Sequence, residues 1–216
     1  MQNGKIKAVV LDWSGTVSDD RRLVWTANMA IFRHYGLEEI PLEEFITNAQ
    51  GTVVAMAKTL GIRDDPETII QLYTDKLTEA KSKGIMPQPY SDATETLAQL
   101  NSLGVNVMVL SSHPTAQLAE EAELFGLRHL IAKLVGDSYN KVAGLATILQ
   151  ELGLSKAEML YAGDTTFDIR AANEVGVYSG GISTGYHTRE RLASENPDFL
   201  FDSLREILEV VKEVPA

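Results

Sequence analysis

Cysteine is absent from the 216 residues of this chain, which excludes disulfides and thiolate metal sites. Long apolar runs are missing as well. None approaches the ~20 residues needed to cross a bilayer, and the opening stretch, Met1 to Lys7, is polar and carries no apolar signal region. No membrane association is therefore expected, and a cytoplasmic location follows. Positive charge is scarce: 19 Lys and Arg stand against 30 Asp and Glu, a formal net charge of −11. Such a surface repels nucleic-acid backbones, so no nucleic-acid partner is expected. It also repels small anions at long range, so a phosphorylated ligand needs local positive charge, such as a divalent cation beside a lysine. What is present is ordinary for a globular protein, with 44% hydrophobic and 23% charged residues. The length suffices for one sizeable domain and a modest inserted one.

Five short apolar runs read as buried parallel strands: Ile6 to Leu11, Val105 to Leu110, Ile131 to Val135, Met159 to Ala162 and Val177 to Gly180. Helical periodicity lies between them, at Asp92 to Leu103, Thr115 to Phe125, Val142 to Leu152 and Phe167 to Val175. Gly104, Gly126, Gly153 and Gly176 stand where those helices should stop. Another amphipathic helix, Leu204 to Val211, should pack on the sheet. Strand–helix alternation of this kind predicts an α/β fold, a parallel sheet with helices on both faces. Residues 17–87 break the alternation. Helices are predicted at Arg22 to Tyr35, Val53 to Leu60 and Pro66 to Lys83, with Trp25, Phe32 and Tyr35 as their core. The block ends at the stiff Met86-Pro87-Gln88-Pro89 linker. The expected division is a core of residues 1–16 and 88–216 with a helical insertion at 17–87.

Ligands of open α/β sheets bind beyond the carboxyl ends of the strands. The polar residues that follow each strand are therefore the candidates. Asp12-Trp13-Ser14-Gly15-Thr16 follows the first strand and Ser111-Ser112-His113 the second. Gly163-Asp164-Thr165-Thr166-Phe167-Asp168 follows the fourth, and Lys141 opens the helix after the third. Asp12, Asp164 and Asp168 would crowd at one edge. Crowded carboxylates repel, and a bound cation resolves the repulsion. An all-oxygen set suits Mg²⁺, with the Ser14 carbonyl as a further ligand. Asp12 is then a candidate nucleophile. Lys141 would orient it, Ser111 would bond a phosphoryl oxygen, and Ser112, His113 and Gly51 are candidates for touching substrate. Lys133 competes with Lys141 but lies inside a strand, away from its carboxyl end.

These residues resemble, in order, the four signature motifs of the haloacid dehalogenase superfamily. The first is Asp-x-x-Gly-Thr at Asp12 to Thr16. The second is the strand-end Ser111, the third Lys141, and the fourth Gly-Asp-x-x-x-Asp at Gly163 to Asp168. The helical insertion is similar to the family's cap domain. The resemblance implies a Rossmann-like core, Mg²⁺, and phosphatase chemistry on a small phosphorylated substrate through an aspartyl-phosphate. One position departs from the pattern. Family phosphatases usually carry a second Asp two residues after the nucleophile as general acid and base, and here that residue is Ser14. Two alternatives follow. One is a phosphonoacetaldehyde hydrolase-like carbon–phosphorus hydrolase, which the run Leu11-Asp12-Trp13 resembles. Its Schiff-base lysine would align within Ala49 to Val54, where Val54 stands in its place and Lys58 lies one helical turn later. The other is a scaffold that binds a phosphorylated ligand and turns it over poorly.

Overall fold

The structure is a computed structural model that describes residues 5–48 and 51–213. The chain divides into two compact units, Met1–Ser18 with Pro89–Ala216, and Asp19–Gln88.

The first unit is built on a six-stranded parallel sheet. Its strands are β1 (Ala8–Leu11), β4 (Asn106–Leu110), β5 (Lys133–Val135), β6 (Met159–Gly163), β7 (Tyr178–Ile182) and β8 (Phe199–Phe201). Two-residue strands, β2 (Ser18–Asp19) and β3 (Gln88–Pro89), mark the two points where the chain passes between units. The sheet order is β5-β4-β1-β6-β7-β8. The order thus reverses at the central strand β1, which pairs with β4 on one side and β6 on the other. In the register Leu11 sits beside Val109 and Ala162. Asp12 therefore leaves the sheet at the switch point, where open α/β sheets bind ligands.

All four residues of β1 are buried, as a strand covered on both faces requires. Their alternation divides the core in two. Val9 and Leu11 join a cluster with Leu97, Leu100, Leu118 and Leu208. Those partners come from α5 (Ala93–Ser102), α6 (Thr115–Leu124) and α10 (Ile207–Glu213). Ala8 and Val10 face Leu145, Ile148 and Ala172, from α7 (Lys141–Leu152) and α8 (Thr166–Val175). At the C-termini of α7 and α8 stand Gly153 and Gly176, both left-handed, as helix-stop glycines should be. A short α9 (Arg189–Ala193) follows β7.

The predicted elements are found with shifted edges. The third strand is shorter than expected and starts at Lys133, since the Ile131 N–H bonds back to the Arg128 carbonyl to close the 3₁₀ turn at Arg128–Leu130. Leu204–Glu206 is also a 3₁₀ turn ahead of α10 rather than its first turn. The sixth strand, Phe199–Phe201, was not expected from the sequence: three residues carry too little periodicity to register.

The second unit contains α1 (Arg21–His34), α2 (Leu42–Thr47), α3 (Val53–Thr59) and α4 (Pro66–Ser82). The Asp65 side chain accepts the Thr68 N–H at the head of α4, with Pro66 in the first turn. Helix α1 packs on α4. Phe32 is buried as expected, whereas Trp25 and Tyr35 are half-buried. Their polar tips explain the difference. The Trp25 indole donates to the Ile40 carbonyl (2.9 Å), and the Tyr35 hydroxyl donates to Asp64 (2.6 Å). Among the described residues, no helix is long and apolar enough to cross a membrane.

Candidate active site

Asp12, Asp164 and Asp168 come together at the carboxyl edge of β1 and β6. They offer ligand atoms that all lie within 4.8 Å of one another. Asp164 and Asp168 are buried, and the Asp12 side chain is 13% exposed.

Lys141, the first residue of α7, fixes this group. Its ammonium donates to Asp12 Oδ1 (2.7 Å), the Leu110 carbonyl (2.9 Å) and the Tyr161 hydroxyl (2.9 Å). An ammonium has three protons, and here each has an acceptor. The Tyr161 hydroxyl in turn donates to Asp168 Oδ1 (2.6 Å), which lies 3.4 Å from the Lys141 nitrogen. Burial pushes the Asp12 carboxyl up to about 6, against the pull of Lys141. Burial also works against the Lys141 charge, but Asp12 and Asp168 outweigh it and hold the ammonium above its ordinary value. Lys133, at the opposite end of β5, pairs with Glu151 instead.

Asp168 does two jobs. Its Oδ2 accepts the Thr165 N–H (3.1 Å) and hydroxyl (2.5 Å), a reciprocal cap on α8. Its Oδ1 faces Tyr161 and Lys141. Asp164 is held by different donors, the Thr16 hydroxyl (3.3 Å) and the Tyr186 N–H (2.7 Å). A turn after β1 brings Thr16 there. The Trp13 carbonyl collects the N–H groups of Thr16, Val17 and Ser18 at 2.8–3.2 Å, with Gly15 at φ +73°. Ser14 lies half-buried on this turn and pairs with Ser18.

The Ser111 hydroxyl accepts the His113 N–H (3.2 Å), and the Ser111 carbonyl accepts the Ser138 N–H (3.0 Å). The His113 carbonyl accepts the Asp137 N–H (2.7 Å). The loop after β4 is thereby stitched to the loop before α7. Ser112 is exposed and His113 half-buried. Gly51 belongs to the other unit, where it is exposed with φ +80° just ahead of α3. Val54 and Lys58 lie in α3, half-buried and exposed respectively. Ala49 and Gln50, part of the stretch aligned with the Schiff-base segment, lie outside the described residues.

Two contributors escaped the sequence analysis. Tyr161 sits inside the apolar run of β6, where it reads as core. Residues 183–187, after β7, fold over Asp164. Thr184 donates to the Gly15 carbonyl (3.0 Å), the His187 N–H reaches the Asp164 carbonyl (3.3 Å), and buried His187 Nδ1 accepts the Thr166 N–H (2.9 Å). Gly185 makes this approach possible, since a Cβ there would overlap Asp164 Oδ2, as would one on Gly15. Gly185→Ala should therefore displace the Asp164 carboxylate and cost about 1–3 kcal/mol of stability through overpacking. Thermal unfolding checks this, and an unchanged midpoint would show that the loop yields freely.

The donor set suits a hard divalent cation. It consists of three carboxylates with oxygen-only ligands, crowded within reach of one another and packed so closely that glycine is required beside them. Buried carboxylates at this spacing repel, and Lys141 offsets the charge of Asp12 and Asp168.

Residues 9–182 match the family model described as haloacid dehalogenase-like hydrolase. The chain is 28% identical to a phosphoglycolate phosphatase of Vibrio parahaemolyticus, over 98% of each chain. It is 27% identical to that of Vibrio cholerae, covering 95% of this chain and 97% of the other. In fold it is similar to a haloacid dehalogenase-like hydrolase from Streptococcus pneumoniae, with a TM-score of 0.81 at 20% identity, covering 95% of this chain and 98% of that one.

Proposed function

The chain belongs to the haloacid dehalogenase-like hydrolases, and we propose that it is a Mg²⁺-dependent phosphatase acting on a small phosphorylated metabolite through an aspartyl-phosphate on Asp12. The observation that carries this reading is the Lys141 ammonium 2.7 Å from Asp12 Oδ1. It holds one carboxylate oxygen and leaves the other to attack phosphorus. The relatives named phosphoglycolate phosphatase support the substrate class.

Asp12, Asp164 and the Ser14 carbonyl would hold the ion, with Asp168 acting through water. When bound, Mg²⁺ neutralises charge between the carboxylate and the incoming phosphate. The protein supplies the rest. Lys141 balances charge on the transferring group. Ser111 uses its oxygen to accept the His113 N–H, so its own hydrogen is the donor a phosphoryl oxygen meets.

The test is turnover of an aryl phosphate and of 2-phosphoglycolate, with Mg²⁺ and with a chelator. Activity should fall at least about 100-fold on chelation, because charge neutralisation is worth several kcal/mol. Asp164→Ala should weaken Mg²⁺ binding more than Asp168→Ala. Binding of phosphorylated compounds without turnover of any would replace this reading with a ligand-binding scaffold. Full activity in metal-free buffer would remove the metal from it.

Affinity for Mg²⁺ should also depend on pH. The Asp12 carboxyl is raised to about 6 by burial, so below that pH a proton occupies the ligand and must leave on binding. Affinity should therefore be level above about pH 7 and fall about tenfold per pH unit below about pH 5.5. Titration calorimetry in two buffers checks it, and an affinity independent of pH from 7 to 5 would exclude Asp12 as the proton-bearing ligand.

A further inference from the structure

Glu121 lies in the middle of α6, only 7% exposed, on a helix whose neighbours Leu118 and Ala122 belong to the apolar core. A carboxylate is expensive in such a place unless donors meet it. Two do, and both reach the same oxygen. Oε1 accepts the Trp13 indole N–H at 3.0 Å and the Ser18 hydroxyl at 2.6 Å. These donors stand at the two ends of the turn after β1, the turn whose inner N–H groups converge on the Trp13 carbonyl. The carbonyl closes the turn from within and the carboxylate closes it from outside. The Trp13 ring also stacks on Phe125, at the end of α6, with centroids 5.7 Å apart and planes at 15°.

The other end of α6 explains why this matters. The helix starts at Thr115, directly after Ser111 to Pro114. One rigid helix thus grows out of the loop carrying Ser111 and grips the turn that follows Asp12 and carries Ser14. We propose that Glu121 is a positioning residue that sets the frame between these two loops, so that the nucleophile and the phosphoryl-binding hydroxyl keep a fixed relation. The proposal rests on the phosphatase reading above. An aliphatic residue would pack against the same core neighbours, but it would leave the buried Trp13 N–H and Ser18 hydroxyl without this acceptor.

Three variants separate positioning from packing. Glu121→Ala removes the acceptor. Glu121→Gln keeps an amide oxygen able to accept both donors. Ser18→Ala removes one donor with little change in volume. The chain has two tryptophans, so its indole N–H signals in a ¹H–¹⁵N spectrum report Trp13, with Trp25, bonded to Ile40, as the internal control. In Glu121→Ala the Trp13 signal should shift while that of Trp25 stays. The amides of residues 16–18 should exchange at least about tenfold faster, since the turn loses its outer closure. With Mg²⁺ and an aryl phosphate, kcat should fall about 10–100-fold with KM within about threefold, the cost of a nucleophile misplaced by a fraction of an ångström to an ångström. Glu121→Gln should return kcat to within about threefold of wild type, and Ser18→Ala should fall between the two.

A shifted Trp13 signal with wild-type kcat and exchange would overturn the proposal, as would a glutamine variant as slow as the alanine one. If Glu121→Ala does not fold, Glu121→Gln and Ser18→Ala decide the matter. If the wild type hydrolyses no phosphate, the phosphatase reading fails. Exchange at residues 16–18 then decides the positioning role, and unchanged rates in Glu121→Ala and Ser18→Ala would end it.

Discussion

Asp12→Asn should abolish turnover, by on the order of 10⁴-fold or more, the scale on which enzymes lose activity when their nucleophile is removed. The expected loss follows from chemistry rather than from damage to the fold. The amide is nearly isosteric and can still accept the Lys141 proton at the Oδ1 position, 2.7 Å away, but it has no anionic oxygen to attack phosphorus. The fold should hold or gain. The folded-state pKa of Asp12 is raised to about 6, with burial as the main cause. A group raised in this way contributes stability that is present at low pH and lost as pH rises through the raised value. At neutral pH the ionised Asp12 is therefore a cost to the metal-free fold, and the asparagine variant does not carry it. Its unfolding temperature without Mg²⁺ should equal or exceed that of the wild type. Steady-state assays and thermal unfolding of both proteins check the two halves together. A variant that keeps a tenth of wild-type turnover would show that Asp12 is not the nucleophile. A variant that loses turnover along with its folded signal would leave the loss to be explained by unfolding.

Why Asp12 was legible in the sequence and other members were not has a physical basis. A strand buried on both faces is apolar throughout, so Ala8 to Leu11 announces itself and the polar residue that ends it stands out. Asp164 and Asp168 follow β6 in the same way, and Lys141 starts a helix at the same sheet edge. Tyr161 is concealed by the same rule. Within Met159 to Ala162 its ring packs with the apolar face of β6, and a sequence pattern registers the ring, not the hydroxyl that bridges Lys141 and Asp168. The loop at residues 183–187 could have been found, since it follows a predicted strand. Its polar residues Ser183 and Thr184 stand past β7 as Asp164 stands past β6. Glu121 reads as an ordinary charge on an amphipathic helix. What makes it unusual is burial, and burial depends on Trp13 and Ser18, 108 and 103 positions away. The motifs thus mark the groups to which the proposed function assigns the chemistry. The groups that hold them depend on side chains meeting across the fold.

Ser14→Asp should accelerate the slow step of this enzyme by an amount within the ~10²–10⁴-fold range of general acid–base catalysis. Asp12, Lys141 and the carboxylate cluster are assembled in the structure, so the first step of the proposed mechanism has its parts. What position 14 lacks is a group that can give and take a proton near neutral pH, because a serine hydroxyl is too weak an acid. On the proposed mechanism an aryl leaving group departs without a proton, and phosphorylation of Asp12 can proceed. Water must then attack the aspartyl-phosphate without a positioned base, so that second step should limit turnover. Rapid-quench kinetics should show a burst of leaving group equal to the enzyme present, followed by slow release of phosphate. The turn can carry the change. Its closure relies on backbone bonds to the Trp13 carbonyl and from the Gly15 N–H to the Ser18 carbonyl (2.8 Å), and Ser14 itself is half-buried rather than sealed in the core. In Ser14→Asp the slow phase should quicken until the burst is lost. The gain should be larger for alkyl phosphates such as 2-phosphoglycolate than for aryl ones, since an alkoxide needs the proton more. A wild type without a burst, together with a variant that gains nothing on either substrate, would show that proton transfer at position 14 does not limit this enzyme and that another residue supplies the acid.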